Sequence, residues 1–386
     1  MSYSPPSSAK PFTLNIPDKD IDEWRQLLKL SRLAPETWEG SQEDGRYGVT
    51  HKWLRETKDY WLNNYSWRSE EKRINSFPNY RMAINGVDLH FVALFSEKKD
   101  AVPIQFLHGW PGSFIEFLPM LDNIRKQYPD AKSLPYHIIV PSLPGYPLSP
   151  RPTDREFTME ESSAVLNQLM VNLGFTKYIA QGGDVGSFNA RLSAMNHEEC
   201  VGIHLNMFTV REVPDQSKLS ELEKMAIQSA RAWKETGSAY AQEHGTRPST
   251  IGSVLSSNPL ALLAWIGEKF LEWSDTTPPL DHILTNISLY WFTSCILTSF
   301  QPYRQLHGAS SVHFSYISKP VGFSFFPFEL FPGIKHVLEK GGNIVTYEQH
   351  ESGGHFAALE KPEWLWADVE KYVKEMWGKA SGGPKL

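Results

Sequence analysis

Over residues 1 to about 78 the apolar positions recur at helical spacing, without strand–helix alternation. Ile21, Trp24, Leu27, Leu28 and Leu30 form one stripe, with Asp18 or Asp20 placed to cap it. Trp53, Leu54, Tyr60 and Trp61 form another. Such faces need a partner, so this segment is expected to be an arm that wraps a core made later in the chain. A hairpin follows: residues 80–84 and 87–94 flank Asn85-Gly86, which tolerates positive φ at both turn positions. From about residue 102 short apolar runs alternate with helical stretches. Residues 102–107, 136–140, 177–181 and 201–206 are expected strands, and 114–124 an expected helix. The capping box Thr158-Met159-Glu160-Glu161 opens another helix, which closes near Gly174. Residues 209–316 break the alternation, with helical patterns at 219–233 and 260–273. It then resumes as strand 321–326, helix 332–340, strand 343–348 and helix 362–377. This order implies an α/β fold, a mostly parallel sheet with helices on both faces. The expected organisation is an arm (1–85), a first part of the core (86–208), a helical cap (209–316) and a second part of the core (317–386). The cap would cover the carboxyl edge of the sheet, where open α/β sheets keep their sites.

Composition narrows the class. The chain has 386 residues, 41% hydrophobic and 21% charged, which suits a large globular α/β domain with an insertion. Lys and Arg number 38 against 44 Asp and Glu, and the net charge of −6 argues against a nucleic-acid partner. Aromatic residues reach 13%, enough to line an apolar pocket. Cys200 and Cys295 are too few for a disulfide framework, so a reducing compartment, the cytoplasm, is expected. Residues 1–14 lack the apolar stretch of a signal peptide or membrane anchor, and the run at 260–266 is too short to span a bilayer. The final Pro384-Lys385-Leu386 matches a peroxisomal Ser-Lys-Leu address at its last two residues only.

The chemistry centres on Gln181-Gly182-Gly183-Asp184-Val185-Gly186-Ser187, between an expected strand and an expected helix. Gly182 and Gly186 flank Asp184 as small residues flank a hydrolase nucleophile on a sharp strand-to-helix turn. An ordinary glycine turn with an Asp cap would read the same way. An exposed nucleophile needs a base, and the base needs a carboxylate behind it. In hydrolases of this kind the chain order is nucleophile, acid, histidine. His355, in Gly353-Gly354-His355-Phe356, follows the last expected strand and is the candidate base. Glu329 follows the preceding strand and is the candidate acid; Glu348, Glu351, Asp275 and Asp281 are poorer placed. His108-Gly109-Trp110-Pro111 fits an oxyanion loop, in which the Trp110 and Val185 N–H groups would face one oxygen of Asp184. A carboxylate nucleophile displaces at saturated carbon and forms an alkyl ester, which water then cleaves. That chemistry suits epoxide opening or halide displacement.

Taken together, the arm, His-Gly-Trp-Pro, Gly-Gly-Asp-Val-Gly, the cap and Gly-Gly-His-Phe resemble an epoxide hydrolase of the α/β-hydrolase fold, of the microsomal type in its soluble fungal form. The resemblance covers nearly the whole chain. It implies Asp184 as nucleophile, His355 as base and Glu329 as acid. It also implies cap tyrosines that hold the epoxide oxygen: Tyr240, ahead of Thr246-Arg247-Pro248-Ser249-Thr250, and Tyr303, in Phe300-Gln301-Pro302-Tyr303-Arg304. Tyr290 and Tyr316 compete for the second of these roles. The expected reaction opens an epoxide to a vicinal diol, with no metal or organic cofactor. A small-molecule epoxide is the expected partner, without a membrane anchor, and a homodimer is an open possibility. A haloalkane dehalogenase-like hydrolase and a non-catalytic ligand-binding protein are the alternatives; tyrosines in the cap argue against the first, an intact Asp–Glu–His set against the second.

Overall fold

The computed structural model describes residues 3–307 and 312–381. The C-terminal Pro384-Lys385-Leu386 lies outside the described residues. Among the described residues one sheet of nine strands forms, in the order β1-β2-β3-β5-β4-β6-β7-β8-β9. The strands are β1 (Lys10–Phe12), β2 (Asn79–Ile84), β3 (Val87–Leu94), β4 (Val102–Leu107), β5 (Tyr136–Pro141), β6 (Tyr178–Gly182), β7 (Cys200–Leu205), β8 (Ile317–Phe325) and β9 (Gly342–Gln349). The β2–β3 hairpin turns at Asn85 and Gly86, both at positive φ (49° and 82°). Strands β1 to β3 pair antiparallel, β3 joins β5 antiparallel, and every later pairing is parallel. The parallel strands β4, β5 and β7 are buried at every position, as expected where helices cover both faces.

The arm holds α1 (Asp18–Leu30), α2 (His51–Asn63) and α3 (Trp67–Asn75). Thr50 and Ser66 cap α2 and α3 through their side chains. Before them lies β1, a strand that the helical pattern of this segment does not announce. It adds to the sheet edge because Phe12 packs edge-on against His90 and under the Arg81 guanidinium. The core helices are α4 (Leu118–Gln127), α5 (Met159–Asn172) and α6 (Asp184–Asn196), and Thr158 and Glu161 do close a capping box on α5.

Among the described residues six α-helices lie between β7 and β8: α7 (Glu221–Thr236), α8 (Ala239–Thr246), α9 (Pro248–Ser256), α10 (Pro259–Glu272), α11 (Leu280–Phe292) and α12 (Gln301–His307). Helix α8 packs on α12, while α1 and α2 pack on α10 and α3 on α11, so the arm is seated against this helical layer. Beyond β8 come α13 (Lys335–Leu338), α14 (Ala357–Glu360) and α15 (Pro362–Ser381). The helix expected over 332–340 is thus a single turn, because Pro332-Gly333 resists helix and Ile334 is extended. Among the described residues no single helix is long and apolar enough to cross a membrane.

Candidate active site

The parallel register brings the ends of β4, β6 and β7 level: Leu107 pairs with Gly182, and Gly182 with Leu205. The loops leaving these ends converge. Asp184 stands at the first turn of α6 with φ of +43°, a conformation that L-residues other than Asn and Asp seldom adopt. The turn is tight because Gly186 lies against the carbonyls of Leu107 and His108, where a Cβ would collide with backbone. It leaves the Asp184 side chain 21% accessible in an otherwise buried neighbourhood.

The Trp110 N–H donates to Asp184 Oδ1 at 2.7 Å. Among the described residues no hydrogen bond runs from the Val185 N–H to that oxygen, so the resting carboxylate has one donor of the expected pair. Oδ2 faces His355 Nε2 at 3.6 Å. On the other side of the ring, His355 Nδ1 contacts Glu329 Oε1 and Oε2 at 2.9 and 3.1 Å. A carboxylate there fixes Nδ1 as the donor and leaves Nε2 for Asp184 or a water. Burial opposes charge on this imidazole, but the carboxylates of Glu329 and Asp184 prevail and hold its pKa well above the ordinary histidine value.

The competing acids are engaged elsewhere. Glu348 pairs with Lys371 at 2.7 Å, Asp275 accepts from the Gly353 N–H at 2.8 Å, and Asp281 accepts from Tyr60 at 3.0 Å. Glu351 is exposed.

Tyr240 on α8 and Tyr303 on α12 are buried with ring centroids 5.7 Å apart. Trp110 stacks on Tyr240 at 5.2 Å and meets Tyr303 edge-on at 5.8 Å, which ties both phenols to the loop that carries Trp110. Burial is the first cause that raises both phenol pKa values above the ordinary one; the charge of Asp184 comes next for Tyr240, and for Tyr303 it follows that of Tyr240. Each is therefore a neutral O–H donor. Tyr290 donates instead to the Gly112 carbonyl at 2.9 Å, and Tyr316 is 55% exposed.

One buried acid escaped the sequence reading. Glu116 is almost wholly buried, and its carboxyl group fills the space that a side chain at Gly112 would take. Burial pushes its pKa up to about 8; the Asp184 charge adds to the rise and His355 opposes it. A cavity of about 20 Å³ is lined by Glu116, Asp184, His355, Trp110, Gly109 and Asn206. That is room for about one water molecule. The signal in the sequence was a lone carboxylate in the apolar run Phe114-Ile115-Glu116-Phe117. Among the described residues no cluster of His, Cys, Asp or Glu is arranged to hold a metal ion.

Residues 9–117 match the family model "Epoxide hydrolase N terminus", and residues 102–250 match the α/β-hydrolase fold model. A protein of Dothistroma septosporum, provisionally named an epoxide hydrolase, is 42% identical over 97% of this chain and 93% of its own length. Epoxide hydrolase 1 of Sus scrofa is 30% identical, covering 95% of this chain and 88% of its own. The structure of Aspergillus niger epoxide hydrolase superposes with a TM-score of 0.92 at 45% identity, covering 98% of this chain and all (100%) of that one. The chain belongs to the epoxide hydrolases of the α/β-hydrolase fold.

Proposed function

We propose that the chain hydrolyses epoxides to vicinal diols through a covalent ester on Asp184. Oδ2 attacks a ring carbon as the C–O bond of the epoxide breaks, and Tyr240 and Tyr303 donate to the departing oxygen. An alkoxide is a poor leaving group, and paired phenols offset that. Esterification removes the charge of Asp184. His355 then loses one of the carboxylates that kept it protonated, and its pKa falls. The proton it sheds balances the one that the opened oxygen takes up. Neutral His355 deprotonates a water in the small cavity, and that water attacks Cγ of the ester. The charge that develops on Oδ1 meets the Trp110 N–H, and the Val185 N–H becomes the second donor as the carbon turns tetrahedral. The Cγ–Oδ2 bond then breaks, the diol oxygen leaves with the proton held by His355, and the new Asp184 carboxyl group returns its proton to His355, which restores the resting pair. Glu329 holds the imidazole in place. Glu116, neutral at neutral pH, positions the water from the other wall.

The observation that carries this reading is the line Glu329–His355–Asp184, with an oxyanion donor on one carboxylate oxygen and paired phenols above. Its test is a single turnover in heavy-oxygen water with enzyme in excess over styrene oxide. The first diol should carry an unlabelled oxygen from Asp184, and the label should appear in Asp184. Label in that first diol would exclude the ester. Asp184→Ala should be inactive.

A halide-releasing reading finds some support in the indole N–H groups of Trp110 and Trp273, which are buried without a hydrogen-bond acceptor. The paired phenols favour the epoxide. A homodimer is supported by the apolar residues that the arm leaves in water, Leu30, Trp38 and Tyr47, at 77%, 62% and 55% exposure. Sedimentation velocity would distinguish dimer from monomer.

A further inference from the structure

Lys269 lies on α10, and its side chain is only 4% exposed. Ammonium groups are seldom buried to this degree without a purpose or a partner. Its Nζ sits over the ring of Tyr240, 4.6 Å from the centroid. Trp265 and Trp273 flank it at 5.7 and 5.8 Å. Its ion-pair partner is Glu268, which is 31% exposed and so partly screened by water. Glu272 follows one turn later, on the exposed side of the helix, and its charge is among those that resist ionisation of Tyr240. The ammonium therefore stands among carboxylates and a phenol that must become electron-rich during ring opening. A cation against a ring face is attracted more strongly as the ring gains negative charge, and more strongly still when desolvated.

We propose that Lys269 is a positioning residue for ring opening, acting through Tyr240: its ammonium holds the ring and stabilises the negative charge that the phenol takes on as it donates to the epoxide oxygen. This rests on the reading of Tyr240 as that donor. The ester-cleaving step uses His355 and the oxyanion loop, so Lys269 should leave it unchanged.

The test follows tryptophan fluorescence through a single turnover of styrene oxide, resolving ester formation from ester decay. Lys269→Met keeps the length of the side chain and removes the charge. It should slow ester formation by about tenfold, the scale of a desolvated cation–π contact, and leave ester decay unchanged. Lys269→Arg should recover most of the loss. In a Tyr240→Phe background, where the ring has no proton to give, Lys269→Met should have little further effect. Equal slowing of both steps, full additivity in the double variant, or wild-type ester formation in Lys269→Met would each overturn the proposal. Should Lys269→Met fold poorly, Lys269→Gln in both backgrounds carries the same test: its effect must fall on ester formation and vanish without the Tyr240 hydroxyl. If the wild-type chain forms no ester at all, the covalent mechanism fails instead, and the two failures are distinct.

Discussion

Glu116 keeps its proton into the neutral range because burial outweighs the pull of His355. The folded value of about 8 lies above the ordinary 4.5. Between those values the folded chain binds more protons than the unfolded one, so this group makes stability fall as pH rises, and its effect levels off above about 8. Glu116→Gln should abolish that slope and gain stability over the native chain at alkaline pH, on the order of a few kcal/mol. Denaturant melts at about pH 5 and about pH 9 measure it, and an unchanged slope in the variant would refute the assignment. The residues that stand out by position, Asp184 between glycines and His355 after the last strand, were legible in the sequence. Glu116 was not, because a carboxylate in an apolar run looks like the solvent edge of a helix until the burial of both its flanks is known. Tyr240 and Tyr303 rested on family resemblance. Sequence spacing cannot bring together side chains on α8 and α12; packing around Trp110 does.

The strand–turn–helix from β6 into α6 shows what can be read at the level of elements. Its glycines flank Asp184 because each faces backbone, Gly182 against Gly186 and Gly186 against Leu107 and His108. Carbonyl oxygens at a strand end cannot rotate away as a side-chain tip can. Gly186→Ala should therefore shift the elbow, cost about 1–3 kcal/mol of stability and displace Asp184 from the Trp110 N–H. Thermal melts with a turnover assay would show it, and native values for both would mean that the turn has slack. The parallel strands were legible for a related reason, since a strand covered on both faces is apolar along its whole length. Strand β1 was hidden because it is three residues long, includes Pro11 and is largely exposed. Only its pairing with β2 makes it a strand.

At the scale of the whole molecule, the arm reaches the chemistry through α11. Trp24 and Trp61 meet edge-on at 5.1 Å, and Trp24 and Trp67 both contact Phe292 at the end of α11, at 6.1 and 4.9 Å. Tyr65 adds a buried hydrogen bond of 3.1 Å to Thr285 on the same helix. From its other side α11 holds the loop proposed as the oxyanion hole: Asn286 donates to the Pro111 carbonyl at 2.7 Å, Ser113 donates to Asn286 at 2.7 Å, and Tyr290 donates to the Gly112 carbonyl. These contacts fix the loop whose next N–H, that of Trp110, rests on Asp184. The arm is thus a buttress whose removal should be felt some distance away. Trp24→Ala opens a cavity in a fully packed cluster and should cost about 3–5 kcal/mol of stability. Where the variant remains folded, α11 gains freedom, and the loss should fall mainly on the step that depends on the oxyanion hole. Ester decay should then slow more than ester formation, the reverse of the pattern expected for Lys269→Met. Equal slowing of both steps would mean that the arm stabilises the fold without setting the geometry of the loop. Opposite step selectivity from residues on separate helices is hard to obtain from general destabilisation, because a loosened fold degrades both half-reactions together.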